Sequence, residues 1–306
     1  MKYIPLLLII IAAPSAQTDM ELPRIGVHEW GVITWERGTA FAQGAPCDYF
    51  DEVVTRAPVV YFHGPEFTGR FEVAVDNGQI IELYPVDAAW SSDSHVWTGD
   101  FVLGHLPVRD IAESRGIPAP SDFGWALEYW REPEVLTFNG FNGLSEKFLF
   151  YETMMDDVTF MPLYPGSEPD VVRGGPFDLE ILLLGMEDGK LMATTCTLAR
   201  FEARTGIPLT WETGISPEGS EILDVFYEWS RDLIDIQEVD ALWNTWMNWF
   251  TFEAFQVLGG SGADAIAVYL LPADLTDNVS TLFLETEEGY PIDYSRYLLV
   301  AVPVSI

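Results

Sequence analysis

Lysine is nearly absent from this chain. It occurs only at 2, 147 and 190, and the other twelve of the 15 basic residues are arginine. Against them stand 48 acids, giving a formal net charge of −33. A nucleic-acid binder needs a basic face to neutralise phosphates, so that class is excluded. Docking on an anionic membrane surface is disfavoured for the same reason. Apolar runs long enough for a membrane helix, about 20 residues, are missing, so stable membrane insertion is not expected. Cysteine is scarce, with two residues, and histidine occurs four times, all by residue 105. The sequence holds no HExxH, GxSxG, phosphate-loop or dinucleotide signature, and no CxxC. A surface this acidic and this poor in lysine suits concentrated salt, where like charges are screened within about 3 Å at 1 M. An acidic protein of ordinary medium is the other reading.

What the chain does have is material for a core. Hydrophobic residues make up 48%, with 11 Trp, 12 Tyr and 19 Phe, which rules out disorder as its main state. Lys2, the apolar run from Ile4 to Ala13 and the small residues Ser15 and Ala16 read as a secretory signal peptide over residues 1–16. The protein is therefore expected to be secreted or periplasmic. Export makes one disulfide, Cys47 with Cys196, compatible with the compartment.

Residues 17–205 carry β punctuation. Short branched and aromatic runs start at Arg24, Pro58, Arg70, Gln79, Glu134 and Lys147, separated by Gly- and Pro-rich stretches. Asp76-Asn77-Gly78 predicts a tight hairpin between the runs on either side, and Glu187-Asp188-Gly189 predicts another. In residues 206–306 the period lengthens. Ile222, Val225, Phe226, Trp229 and Leu233 share one helical face, with Ser216 and Pro217 as its expected start. A second helix is expected from Asp235, with Glu238 three residues on as a capping box. Strands return near Ala265, Thr281 and Tyr297. The expected fold is mainly β: an N-terminal sandwich-like region, then two helices and further strands forming an α+β C-terminal region packed on the first.

Four segments carry a resemblance. Val27-His28-Glu29-Trp30-Gly31, Ala57-Pro58-Val59-Val60-Tyr61-Phe62, Ser145-Glu146-Lys147-Phe148-Leu149-Phe150-Tyr151, and Thr245-Trp246-Met247-Asn248-Trp249-Phe250 followed by Tyr269-Leu270-Leu271-Pro272 occur in that order. Together they resemble a family of uncharacterised secreted bacterial proteins that opens on V-H-E-W-G-T-F-T. The resemblance implies export and a shared fold, and no reaction. This chain departs from the family where it has Glu152 and Ala273 in place of Arg, and where Glu128 to Glu132 contains no His.

The chemistry-bearing candidates are few. His28, His63, His95 and His105 are the imidazoles available to a zinc or copper ion. Asp87, Asp93 and Asp100 sit in a Ser-rich stretch with the oxygen ligands calcium prefers. His28 and Glu29 are the candidate catalytic pair, although neighbours on a strand point to opposite faces. Trp30, Trp249 and Arg131 are the candidate ligand-binding residues. The Trp and Phe cluster from Trp243 to Phe255 has the spacing of a core-packing stripe, with Trp249 at its flank. The leading functional reading is an exported, non-catalytic protein binding a ligand or partner outside the cell. The alternative is an exported metal-dependent hydrolase using His28 and Glu29.

Overall fold

A computed structural model describes residues 22–36, 52–86, 90–104, 111–163, 179–202, 210–253 and 264–304. The signal-peptide segment, Cys47, Asp87 and His105 lie outside the described residues.

The described strands are β1 (Ile25–Glu36), β2 (Glu52–His63), β3 (Phe67–Ala74), β4 (Gly78–Tyr84), β5 (Ser94–Val102), β6 (Thr137–Gly140), β7 (Ser145–Glu146), β8 (Leu149–Met155), β9 (Glu180–Glu187), β10 (Lys190–Thr197), β11 (Thr213–Gly214), β12 (Ala265–Leu270), β13 (Thr281–Thr286) and β14 (Ile292–Val304). The α-helices are α1 (Leu127–Trp130), α2 (Leu198–Glu202), α3 (Ser220–Trp229) and α4 (Ile236–Asn248). Nine strands form one sheet in the order β11-β10-β9-β12-β14-β1-β2-β8-β4, and five form a second in the order β13-β3-β5-β6-β7. The fold is thus mainly β and sandwich-like. Strands from either side of residue 205 lie in the same large sheet: β14 pairs in parallel with β1, and β12 pairs with β9.

The large sheet is covered on both faces, which explains its sequence. On one face Trp30, Val59, Tyr61, Leu184, Val268 and Leu299 pack against Ile222 and Phe226 of α3 and Val239, Leu242, Trp243 and Trp246 of α4. On the other, Val27, Val60, Phe62 and Leu149 pack against Phe71, Trp97, Phe101 and Leu284 of the smaller sheet. Central strands buried on both sides read as continuous apolar runs, as Ala265–Leu270 does. Strand β3 of the smaller sheet alternates buried and half-buried residues instead. Among the described residues, no helix is long and apolar enough to cross a membrane.

Two local expectations are corrected. Asn77-Gly78 is not a hairpin turn: β3 belongs to the small sheet, beside β13 and β5, whereas β4 pairs with β8 in the large one. The Asn-Gly pair turns the corner between sheets. Asn77 bonds both the carbonyl and the amide of Asp157, and a Cβ on Gly78 would lie 2.0 Å from the Met154 carbonyl oxygen. The first long helix starts at Ser220, with Gly219 at φ 65° as its N-cap, rather than at Ser216 and Pro217. A Cβ on Gly219 would sit 2.7 Å from the Trp243 ring, so packing on α4 sets where α3 begins. The second turn holds as expected: β9 and β10 pair across Asp188 and Gly189, both at positive φ.

Candidate ligand groove and histidine pair

The face of the large sheet under α4 carries two clusters, one at each end of that helix. At the N-terminal end, Asp235 is the N-cap and Glu238 closes the capping box, accepting the Asp235 amide at 2.9 Å. The same carboxylate meets two imidazoles. Its Oε2 lies 2.9 Å from His28 Nδ1 and its Oε1 lies 2.7 Å from His63 Nε2. Register brings the two histidines together. Gly26 faces His63 and His28 faces Tyr61 across antiparallel β1 and β2, so His28 and His63 are diagonal neighbours on one face, with ring centroids 4.1 Å apart. Glu238 is fully buried, and the two imidazoles hold its carboxyl below the usual range against the opposing effect of burial. These three residues form a ligand set of the kind a divalent ion takes.

The strand period sends Glu29 the other way. It is fully buried between the sheets, where Arg296 Nε donates to it at 2.5 Å and Tyr151 donates through its hydroxyl. Arg296 also donates to the Ser280 carbonyl and hydroxyl, each at 2.6 Å. His28 and Glu29 therefore do not share a site. The β-bulge in β1 lies between Trp30 and Val32, after both residues, and does not re-aim either.

At the C-terminal end of α4 lies a groove of about 410 Å³. Its walls are aromatic: Phe123 and Trp125 from the turn before α1, Trp246 at the end of α4, and Trp249 in the π-helical turn that follows. Its polar groups are Thr34, Arg56, Asp122, Thr245, Asn248 and Glu253. Trp125 is more than half exposed, and Trp249 is half-buried with its ring edge-on to Trp246 at 6.2 Å. Trp246 is buried, and its indole N–H finds no acceptor among the described residues. Trp243, Trp246 and Phe250 pack into the core as the helical stripe predicts.

Arg56 reaches the groove because β2 is irregular there. Ala57 has φ 46°, and the β2–β8 register shifts between Thr55 and Val59. Arg56 Nη1 donates to Asp122 at 2.8 Å and to Glu152 at 3.3 Å. The Ala57 amide also donates to Glu152, at 3.3 Å. Burial outweighs these partners and pushes the Glu152 carboxyl up to about 7.

The remaining candidates lie elsewhere. Trp30 is fully buried, edge-on to Trp130, and does not line the groove. Arg131 is held by Glu146 at 2.5 Å and Glu113 at 2.9 Å, with the Tyr84 hydroxyl bridging both acids. That cluster engages Nε and Nη2 of the guanidinium with two carboxylates, so its charge is already neutralised. His95 lies on β5 of the small sheet, its ring 4.5 Å from Trp97. Asp93 is exposed before β5, and Asp100, near its far end, accepts the Thr68 hydroxyl at 2.7 Å. An extended strand separates those two carboxylates by roughly 20 Å, so they form no calcium loop. Cys196 is buried in the core. The sequence missed Glu238, Asp122 and Arg56 as site residues. In the sequence Glu238 reads only as a capping residue, because its meeting with His28 spans 210 residues. No family model matches the chain, nor does any curated protein or solved structure.

Proposed function

We propose that this is an exported binding protein whose groove takes a saccharide. The carrying observation is the composition of the groove at the end of α4: Trp125 and Trp249 are partly exposed, and Arg56, Asp122 and Asn248 lie beside them. Sugars present apolar C–H faces and a rim of hydroxyls that both donate and accept. Indole rings suit the faces, and carboxylate, guanidinium and amide groups suit the rim. A volume near 410 Å³ falls within the range of small-ligand sites. The charge argues in the same direction. Asp122 and Glu253 outnumber Arg56, which disfavours an anionic ligand, while Arg56 itself disfavours the cation that an aromatic cage would take. Export rests on the N-terminal pattern and on the family resemblance.

The test is a glycan array probed with the purified chain and with Trp249→Ala. Retention of the wild type on defined oligosaccharides, lost in the variant, is the expected result. A wild-type chain that is retained by no saccharide rejects the reading.

A further inference from the structure

We infer that His28, His63 and Glu238 form a binding site for a divalent cation of the zinc class, separate from the groove. Three features carry the inference. First, the donor atoms converge: one nitrogen from each imidazole and a carboxylate oxygen all lie within 4.8 Å of one another. Two imidazoles and one carboxylate, with a remaining position for water, make a ligand set that zinc commonly takes in proteins. Second, rigid elements hold the donors. Both histidines lie on hydrogen-bonded strands of the large sheet, and Glu238 is locked by its capping bond to the Asp235 amide. Third, the site is open on one side. Glu238 is fully buried, but the side chains of His28 and His63 keep 17% and 20% exposure, leaving a route for an ion and a place for its water.

Without metal, each imidazole presents its N–H to the Glu238 carboxylate. Binding replaces those two hydrogen bonds with coordination at His28 Nδ1 and His63 Nε2, and each neutral ring changes tautomer, losing the proton from the coordinating nitrogen to water and taking one up on the other nitrogen. For His63 that nitrogen is Nδ1, 3.7 Å from Asp235 Oδ2, and a carboxylate on the far side of a ligating imidazole fixes its orientation. Calcium and magnesium, which take oxygen ligands, are poorly served by two nitrogens.

A chain with 48 acids collects cations on its surface, so the test must separate site from surface. Chelator-stripped protein is titrated with zinc in the presence of millimolar calcium, in the wild type, His28→Ala, His63→Ala and His95→Ala. The expected result is one tight equivalent in the wild type and in His95→Ala. In His28→Ala and His63→Ala it weakens by at least the ~100-fold that loss of an outer hydrogen-bond partner can already cost. Because the chain has four histidines, ring ¹⁵N spectra of the wild type give a readout that needs no variant to fold. Two rings should shift with one equivalent of zinc, one through Nδ1 and the other through Nε2. Absence of a tight equivalent, an equivalent that survives both substitutions, or shifts in neither or all of the rings would overturn the site.

Discussion

Glu29 and Glu152 show how burial decides what a carboxylate does. Glu29 sits between the sheets against Arg296, whose side chain is 6% exposed. Removing one partner of a buried ion pair leaves an uncompensated charge, which costs about 3–5 kcal/mol. Arg296→Ala should therefore lower unfolding free energy by that amount in a urea titration, while Glu29→Leu combined with Arg296→Met should lose much less. Equal losses for the single and double variants would contradict the pairing. Glu152 titrates in the opposite sense to a paired surface acid. Its carboxyl moves from 4.5 to about 7 on folding, so between those values the folded state binds more protons than the unfolded one. Stability from this group is full below about 4.5 and is lost as pH rises through about 7. Melting curves of Glu152→Gln should gain on the wild type as pH rises across that window, and a constant gap would contradict the shift. Residues such as these were legible only in part. The sequence raised Glu29 and His28 as neighbours, and the two-residue period already warned that they part. What it could not supply was Arg296, 267 positions away from Glu29.

At the scale of elements, the signals that worked were local. The capping box at Asp235 and Glu238 and the apolar stripe through Trp243, Trp246 and Phe250 placed α4, and Asp188-Gly189 placed the β9–β10 hairpin. Those that failed were local patterns overridden by packing. Asn77-Gly78 has hairpin chemistry, yet its flanking strands alternate toward different sheets, so the same positive-φ glycine serves a corner. Ser216-Pro217 has helix-start chemistry, yet α3 begins at Ser220, after Gly219, which has no Cβ to meet Trp243 and Thr251. Two glycines test this. Nothing lies within 4 Å of a Cβ on Gly189, whereas one on Gly219 meets Trp243 at 2.7 Å. Gly189→Ala should cost about 1–2 kcal/mol for its left-handed backbone alone. Gly219→Ala should add roughly 1–3 kcal/mol of overpacking. Equal losses in chemical denaturation would mean that Trp243 does not set the start of α3.

At the scale of the molecule, both clusters on the α4-covered face of the large sheet are built around one helix. Glu238 and Trp249 are eleven residues apart, about 16 Å along a helical axis, which puts the histidine pair and the groove at opposite ends of α4. The whole is wrapped in charge. With a formal net charge of −33, self-repulsion opposes folding and salt screens it. The melting temperature should rise between low salt and 1 M sodium chloride, by roughly 2–4 °C for each kcal/mol of repulsion relieved. A flat or falling curve would remove the reading of adaptation to salt. The mainly β class and the aromatic core were legible because they rest on composition and period. Of the groove only Trp249 was legible, as the flank of the helical stripe, because Arg56 and Asp122 reach it from distant segments. Saccharide binding there is decided by calorimetric titration of the best-retained oligosaccharide into the wild type and Trp125→Ala/Trp249→Ala. Loss of an aromatic anchor costs about 2 kcal/mol or more at a binding site, so affinity should be at least ~100-fold weaker in the double variant, which should still unfold cooperatively at a melting temperature lowered by the lost packing of Trp249 on Phe250. Equal affinity in the two proteins would contradict saccharide binding in the groove.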